Sequence, residues 1–443
     1  MGFKFVDLFA GIGGFHAAMS AAGGKCVYGI EHDEAAAMTY EANWGSKPSV
    51  LGDITADANE DGVNVPAHDV LCAGFPCQPF SKSGAQLGMD ETRGTLYWNI
   101  LKIIESRRPA VVLLENVRNL AGPRHKHEWD VIIRTLRDEG YRVSDTPAIF
   151  SPHLLPPKMG GRPQVRERVF ITASRVDDLR RFSLDAEPVV SNKNSDLWNP
   201  SDWDLSKHLL LSDRDKRSKG YELTSREILW IDAWDEFVKL MRATNGRRLP
   251  GFPLWSDEWR KHSKVEIEQV PAWKADFLRK NESFYLDPNN RPVIDEWLAR
   301  WKVRSDLFPA SRRKLEWQAQ ECETLWETVM HFRPSGIRAK APTYLPALVA
   351  ITQTSIIGPK RRRLSVREAA RLQGLPDWFD FRDQPDSSSY RQLGNGVSVG
   401  TVWHVFRKHL ERDSEILRQT CPRLLASLNS MPESPDEILR SRI

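Results

Sequence analysis

One segment of the chain holds a cysteine in a setting suited to nucleophilic chemistry. It reads Gly-Phe-Pro-Cys-Gln-Pro-Phe-Ser and spans residues 74–81. Pro76 and Pro79 restrict the backbone around Cys77, directly after an apolar run that is typical of a buried strand. Cys72, inside that run, is typical of a small buried apolar residue. Cys77 is predicted to lie in a loop instead, where its thiolate can act as a nucleophile.

A carboxyl group and two arginines follow later predicted strands. Glu115 comes directly after the apolar run 110–114, where burial can raise the pKa of a carboxyl group and let it act as an acid. Arg166 and Arg168 are two apart in an extended segment, so their side chains are predicted to share one face, toward a phosphate or a carbonyl oxygen. A salt-bridged edge strand is the alternative for this pair.

The first predicted strand leads into a glycine-rich turn. Residues 5–9 form an apolar run, three glycines follow within residues 11–14, and a helical pattern comes next. This order is typical of a nucleotide-like cofactor bound at a helix N-terminus. His16 departs from the dinucleotide pattern G-x-G-x-x-G, which argues against a nicotinamide-dependent oxidoreductase. Glu31, at the end of the second apolar run, is suited to accept hydrogen bonds from ribose hydroxyls.

These residues need a framework that brings the ends of strands together. Apolar runs alternate with helical patterns through the first 175 residues, and the predicted strands are 5–9, 26–30, 69–73, 110–114 and 168–173. The alternation predicts an α/β fold with a doubly wound, mostly parallel sheet. A ligand of such a sheet binds beyond the carboxyl ends of the strands, where Glu31, Asp53, Cys77 and Glu115 are all expected.

Composition argues against several classes of protein. The 443 residues are 40% hydrophobic and 28% charged, which is typical of a folded globular chain rather than a disordered one. No apolar run reaches the length that crosses a bilayer, and the N-terminus has no signal-peptide pattern. Five cysteines without a C-x-x-C pair argue against a disulfide framework or a zinc site and favour a reducing cytoplasm.

Beyond about residue 175 the strand–helix alternation is lost. Eleven of the sixteen tryptophans lie between residues 175 and 345, and we interpret them chiefly as a second core. Three pairs are spaced as on one side of a helix: Trp230 and Trp234, Trp255 and Trp259, Trp297 and Trp301. Between residues 333 and 371, nine Lys or Arg accompany the single acid Glu368, which indicates a phosphate-contacting surface or a solvated turn.

Taken in order, these motifs resemble those of the DNA (cytosine-5)-methyltransferase family, of the prokaryotic restriction-modification type. The combination of Pro-Cys-Gln, Glu-Asn-Val and Gln-x-Arg-x-Arg is highly specific to that family. The matching segments are 5–14, Glu31, 52–54, 74–81, 93–96, 115–117, 164–168, 365–373 and 394–397. The region from about 176 to 345 matches by position alone, as the variable target-recognition domain.

The resemblance implies the S-adenosylmethionine-dependent methyltransferase fold, with a second domain inserted before the C-terminal helix. Residues 1–175, completed by 390–443, would form the catalytic domain, and 176–389 the target-recognition domain, with double-stranded DNA in the cleft between them. The protein is expected to be a monomer without a metal or a membrane partner. It is expected in a prokaryotic cytoplasm, at the nucleoid, beside a cognate restriction endonuclease that forms no stable complex with it.

The resemblance also implies a reaction. Cys77 would attack C6 of a cytosine that is flipped out of the duplex, while segment 82–93 closes over the base. Glu115 would contact N3 and the exocyclic amine, Arg168 would hold the O2 carbonyl, and Arg166 would support the nucleophile loop and a nearby phosphate. C5 would take the methyl group of S-adenosylmethionine, leaving S-adenosylhomocysteine. Loss of the C5 proton and of the thiolate would release 5-methylcytosine.

Further residues are assigned by the same resemblance. Those implied to bind S-adenosylmethionine are Phe9, Ala10, Gly11, Ile12, Gly13, Gly14, Glu31, His32, Asp53, Ile54, Pro76, Leu96 and Asn395. Those implied to contact DNA are Gln78, Ser81, Ser83, Arg333, Arg338 and Lys340. Two alternative functions are an RNA (tRNA) cytosine-5 methyltransferase and a catalytically inactive DNA-binding homologue. The long variable region favours DNA over tRNA, and the intact catalytic residues favour an active enzyme.

Overall fold

The computed structural model describes residues 2–45, 49–76, 95–193, 196–244, 246, 248–349 and 354–441. The chain forms two compact units, one of Met1–Leu210, Pro346–Thr352 and Val366–Ile443, the other of Leu211–Leu345 and Gln353–Ser365. These compact units have other bounds than the domains implied by the motifs, 1–175 with 390–443 and 176–389, and that domain assignment stays a prediction. Within the described ranges, no helix is long and apolar enough to span a membrane.

A seven-stranded sheet forms the framework of the first unit. The strands in the N-terminal part of the chain are β1 (Lys4–Leu8), β2 (Lys25–Ile30), β3 (Val70–Gly74), β4 (Val111–Val117), β5 (Tyr141–Val143), β6 (Ala148–Phe150), β7 (Gln164–Val165) and β8 (Arg168–Arg175). The helices are α1 (Gly14–Ala21), α2 (Glu34–Trp44), α3 (Ile54–Asp57), α4 (Leu96–Arg107), α5 (Lys126–Asp138) and α6 (Leu205–His208).

The sheet has the order β2-β1-β3-β4-β8-β5, and β6 also pairs with β8. Strands β2, β1, β3 and β4 are parallel, whereas β8 is antiparallel to β4, β5 and β6. The predicted doubly wound, mostly parallel sheet is therefore confirmed. Because both faces are covered, β3 and β4 are buried along nearly their whole length, which explains why they read as unbroken apolar runs.

The second unit consists of four α-helices and a six-stranded sheet within the described ranges. Its helices are α7 (Ser225–Thr244), α8 (Lys264–Glu268), α9 (Ala272–Leu286) and α10 (Arg291–Trp301). Its strands are β9 (Leu254–Trp255), β10 (Lys314–Gln318), β11 (Val329–Arg333), β12 (Gly336–Lys340), β14 (Ile356–Ile357) and β15 (Arg362–Arg363), and β13 (Leu345–Pro346) lies at the unit boundary. The sheet has the order β15-β14-β11-β12-β10-β9.

The tryptophan-rich region does form a second core, as the sequence predicted. Trp234, Trp297 and Trp317 are buried there with Trp259. The helical spacing of Trp255 and Trp259 was a wrong prediction, however. Trp255 lies in β9 because it pairs with Lys314 of β10, and a short 3-10 turn follows it.

The C-terminal segment returns to the first unit. It forms α11 (Val366–Leu372), α12 (Asp386–Asn395), α13 (Val399–Arg412), α14 (Ser414–Thr420), α15 (Pro422–Ser430) and α16 (Asp436–Leu439). The helices α12 and α13 are separated at Gly396. The rings of Phe3 and Phe406 lie 5.7 Å apart, so α13 packs close to the start of β1. This packing carries the end of α12 to the carboxyl ends of the parallel strands.

Candidate active site

The carboxyl ends of the parallel strands open into one cavity of about 720 Å³. Its walls come from the segments after β1, β2, β3 and β4 and from the end of α12. The predicted site residues that line it are Phe9, Gly11, Ile12, Glu31, His32, Asp53, Ile54, Pro76, Leu96, Glu115, Arg168 and Asn395. Residues far apart in sequence therefore meet at the edge of the sheet where the fold places a ligand.

Glu31 joins two loops of this cavity. One carboxylate oxygen accepts the Gly11 backbone N–H at 2.7 Å, and the other accepts the Asp33 backbone N–H at 2.8 Å. Each oxygen has a further lone pair, so the carboxylate is held in place and can still accept hydrogen bonds from a ligand. Gly11 has a φ of 54°, and no atom lies within 4 Å of the position that a Cβ would occupy. The backbone is therefore open to close approach at this point.

The remaining glycines of the turn serve packing. A Cβ on Gly13 would lie 2.1 Å from the Trp44 indole nitrogen, and one on Gly14 would lie 3.0 Å from the Val397 carbonyl oxygen. Neither glycine lines the cavity, and nor does Ala10, which is buried. The cofactor contacts assigned to these three residues remain a prediction.

Asp53 has a local structural role in addition to its place in the lining. Its carboxylate caps α3 by accepting the Thr55 backbone N–H at 2.9 Å and the Thr55 hydroxyl at 2.8 Å. These hydrogen bonds lower the pKa of Asp53 below its ordinary value. The next residue, Ile54, is buried and supplies apolar wall.

Glu115 and Arg168 form an ion pair at the other end of the cavity. The Arg168 Nε donates to Glu115 Oε1 at 2.9 Å. Burial raises the pKa of Glu115 above its ordinary value, although the charges of Arg168 and Arg166 oppose the rise. Within the described ranges no hydrogen bond is made by Glu115 Oε2, which lies close to Gly74. This carboxyl group can therefore hold a proton and exchange it with a ligand.

Arg166 is buried behind the cavity and does not line it. Its Nη2 donates to the Gly394 and Gly396 carbonyl oxygens at 2.9 and 2.6 Å, and its Nη1 donates to the Leu348 carbonyl at 2.9 Å. Burial and the charge of Arg168 lower the pKa of Arg166 to about 9. Arg166 thus holds the backbone carbonyls on both sides of Asn395 in place.

The shared orientation predicted for Arg166 and Arg168 does not hold. Strand pairing is interrupted between β7, which ends at Val165, and β8, which begins at Arg168. Arg166 consequently reaches the C-terminal segment, whereas Arg168 reaches Glu115. The alternative of an edge strand is also wrong, because β8 lies between β4 and β5 inside the sheet.

Sequence reasoning missed several residues that shape the site. Asn116 donates from Nδ2 to the Phe75 carbonyl at 2.8 Å, which ties the end of β4 to the segment that leads into Pro76. Arg391 of α12 forms an ion pair with Asp33 at 3.2 Å. The other unassigned lining residues are Ile30, Ala36, Gly52, Gly74, Phe75, Val117, Gln392 and Gly394. The usable signal in the sequence was membership of the family segments 52–54, 74–81, 115–117 and 394–397, which contain Gly52, Gly74, Phe75, Asn116, Val117 and Gly394.

The remaining predicted residues fall into two groups. Outside the described residues are Cys77, Gln78, Ser81, Ser83 and the whole of the segment 82–93. Arg333, Arg338 and Lys340 lie on β11 and β12 of the second unit.

Comparison with known proteins assigns the chain. A family model described as C-5 cytosine-specific DNA methylase matches residues 3–411. The chain belongs to this family. It is a DNA cytosine-5 methyltransferase, as the motifs predicted, and it is related to type II methyltransferases of the restriction-modification kind.

Two relatives match nearly the whole chain. The type II methyltransferase M.AluI of Cellulosimicrobium cellulans is 50% identical over 94% of this chain and 94% of its own length. The type II methyltransferase M.HhaI of Haemophilus parahaemolyticus is 38% identical over 91% of this chain and 93% of its own. Among solved structures, the S. pombe Dnmt2 methyltransferase aligns with a TM-score of 0.42 at 16% identity, over 92% of this chain and 98% of that chain.

Proposed function

We propose that this methyltransferase moves a methyl group from S-adenosylmethionine to C5 of a cytosine in a specific site of double-stranded DNA. The observation that carries the proposal is a single cavity with two chemically different ends. One end holds the Glu31 carboxylate between two loops, and the other holds the Glu115–Arg168 pair. Pro76, which precedes Cys77 in the chain, belongs to the same lining.

The Glu31 end suits the nucleoside part of the cofactor. A volume of about 720 Å³ is in the range of small-molecule sites. Glu31 would accept hydrogen bonds from the ribose hydroxyls, and the apolar walls contributed by Phe9, Ile54 and Leu96 would exclude water from the adenine. When bound here, S-adenosylmethionine supplies an electrophilic methyl group.

The Glu115 end suits a cytosine ring. C5 of cytosine is a poor nucleophile, so the ring needs electron density before it can take a methyl group. The raised pKa of Glu115 lets its carboxyl share a proton with the ring nitrogen N3. The cationic Arg168 would stabilise negative charge that develops at the O2 carbonyl. Both groups favour attack of a thiolate on C6.

We assign that thiolate to Cys77. Its sulfur would form a bond to C6, and C5 would then take the methyl group. Loss of the C5 proton and departure of the thiolate would restore the aromatic ring. A stacked base cannot present C6 to a thiol, so the cytosine must leave the helix first.

The proposed setting follows from the substrate. A type II relative that covers nearly the full length supports a role in protecting host DNA against a cognate restriction endonuclease, with which no stable complex is expected. We propose a monomer that acts in the prokaryotic cytoplasm at the nucleoid. It would use no metal and no membrane partner.

The test combines methyl transfer with adduct trapping. Labelled S-adenosylmethionine and mixed-sequence duplex DNA are incubated with wild type, with Cys77→Ala, and with Cys322→Ala as the matched control. Bisulfite sequencing should show 5-methylcytosine at one short motif for wild type and Cys322→Ala, and none for Cys77→Ala. A duplex with 5-fluorocytosine at that position should hold wild type in a covalent complex that survives denaturation, because C5 then carries no proton to lose.

Three results would overturn the proposal. Methylation by Cys77→Ala would remove the assigned nucleophile. Methylation of tRNA without methylation of DNA would favour the RNA-modifying alternative. Failure of wild type on both substrates, with the chain folded, would favour the inactive homologue.

A further inference from the structure

One sheet face of the second unit gathers polar and cationic groups. Strands β10, β12 and β11 are neighbours, and alternate residues of each point to opposite faces. One face carries the buried side chains of Leu315, Met330 and Ile337 into the tryptophan core. The opposite face, here called the polar face, carries Lys314, Glu316, Gln318, His331, Arg333, Arg338 and Lys340.

The centre of the polar face is a fixed arginine. Glu316, Arg338 and His331 are register partners across the three strands. The Arg338 Nε donates to Glu316 Oε2 at 2.7 Å, and the Gln318 side-chain amide donates to the other carboxylate oxygen. Both oxygens of Glu316 are therefore engaged by side chains of the same face. The Arg338 side chain is still 26% exposed, and its two terminal nitrogens make no hydrogen bond within the described ranges.

The cations beside Arg338 are held differently. Neither Arg333 nor Lys340 forms an ion pair with any described residue. Lys340 lies two residues after Arg338 on β12, and Arg333 lies on the neighbouring strand β11. Burial and the mutual repulsion of these cations lower the pKa of Arg333 and of Lys340 below their ordinary values. Burial lowers the pKa of His331 to about 3, so this residue adds no charge near neutral pH. Lys314 lies on the same face over the Trp255 ring, so four cations accompany one carboxylate.

Crowding like charges on a sheet face costs stability unless an anion is bound there. An anionic partner that runs across several strands and contacts separate cations fits a nucleic-acid backbone. Arg338 is paired with a carboxylate, whereas Arg333 and Lys340 are not, and this difference indicates different contacts with the nucleic acid. A side chain held by a carboxylate has a defined orientation, as base reading requires, whereas an unpaired one can adapt to a phosphate.

We propose that Arg338 reads a guanine of the target site, with Glu316 as its positioning residue and with Arg333 and Lys340 as phosphate contacts. The Nε of Arg338 is already taken, so its two terminal nitrogens are left to donate to N7 and O6 of the base. No other base presents two acceptors at these positions in the major groove. The inference rests on the DNA substrate proposed above.

The experiment measures methylation of a duplex library with random sequence around the cytosine, read by bisulfite sequencing. Wild type defines the motif. Arg338→Ala should lose about ten- to a hundredfold of its preference for guanine at one position and keep the preference at the others. Arg338→Lys should behave like Arg338→Ala, because an ammonium cannot form the two parallel hydrogen bonds. Glu316→Gln should relax the same position by a smaller factor.

Arg333→Ala and Lys340→Ala are the matched controls, since they remove a cation from the same face. Each should weaken DNA binding about equally for all sequences and should lower the slope of log affinity against log salt by about one. Thermal unfolding of every variant checks the fold, and the conservative variants Arg338→Lys and Glu316→Gln carry the test if Arg338→Ala does not fold.

Several results would overturn the inference. These are an unchanged motif in Arg338→Lys, a uniform loss of affinity in place of a positional one, and relaxation at a position that is not guanine. A Glu316→Gln variant whose relaxed position differs from that of Arg338→Lys would remove the positioning role. If wild type itself leaves no methylated motif, the proposed function fails, and that outcome is distinct from a motif that the Arg338 variants do not change.

Discussion

Replacing Arg166 by lysine tests whether this buried cation positions Asn395 or acts on the nucleophile loop and a DNA phosphate. The guanidinium donates to three backbone carbonyls, two of which flank Asn395. A lysine ammonium at this depth can reach one of the three acceptors and leaves two without a donor. Each buried acceptor that loses its partner costs about 1–3 kcal/mol, and local relaxation of the backbone toward other donors offsets part of this. We expect Arg166→Lys to lower the free energy of unfolding of the first unit by about 2–4 kcal/mol.

The same change should weaken the cofactor site. With its flanking carbonyls released, Asn395 loses the position from which it lines the cavity. Loss of one ligand hydrogen bond, about 0.5–1.5 kcal/mol, corresponds to a rise in the Kd for S-adenosylhomocysteine of up to about tenfold. Methyl transfer at saturating cofactor should fall by less than that factor, because Arg166 does not line the cavity.

Hydrogen exchange and calorimetry are the assays. Peptides that cover residues 390–396 should lose protection in Arg166→Lys, and titration should show the weaker cofactor binding. Tryptophan fluorescence is a poor probe of this change, because nine of the sixteen tryptophans lie in the second unit. Arg162→Lys is the matched control, since Arg162 also donates to carbonyls of the first unit, those of Arg371 and Gly161, away from this cavity. It should lose stability and keep its cofactor affinity.

One outcome would refute this reasoning. If Arg166→Lys keeps wild-type protection and cofactor affinity while kcat falls a hundredfold, Arg166 acts on the nucleophile loop or a DNA phosphate, as the family resemblance implied.

Two further predictions concern the cavity and the glycine turn. Glu115→Gln should lower single-turnover methyl transfer by about 10²–10⁴ and leave cofactor affinity nearly unchanged, because a neutral amide beside Arg168 cannot give up a proton. The wild-type rate should fall as pH rises through the raised pKa of Glu115, since the protonated form is lost there, and a Glu115→Gln profile with the same decline would contradict the assignment. Gly13→Ala should destabilise the first unit by about 1–3 kcal/mol in urea unfolding, because it combines a φ of 89° with a clash against Trp44. Gly11→Ala, which meets open space, should cost less, and equal losses would show that the clash is not the cause.

Local patterns were sufficient for the five longest strands of the first unit, whereas the short strands β5, β6 and β7 were not predicted. The apolar run predicted at 110–114 became β4, because strand periodicity depends on neighbours within a few residues. The topology of the sheet made part of the cavity lining predictable as well. Parallel strands place their carboxyl ends at one edge of the sheet, so Glu31, Asp53 and Glu115 could be grouped before any contact was known.

Short-range spacing was misleading where a distant partner decided the conformation. Trp255 and Trp259 are four apart, yet pairing with Lys314 draws Trp255 into a strand. Asp33 and Arg391 resemble ordinary surface charges in the sequence, and their pairing at the cavity joins residues 358 positions apart. No periodicity encodes such a contact.

The sequence by itself determined the main strands of the first unit, the family motifs and the set of side chains able to do the chemistry. Only the tertiary structure decided what each of those side chains contacts. Arg166 and Arg168 show the reason most clearly. They are two residues apart and of the same type, yet one fastens the Gly394–Gly396 turn and the other pairs with Glu115. The partner of a buried charge is set by which distant segments the packed core brings within hydrogen-bond reach, since burial without such a partner is prohibitively costly.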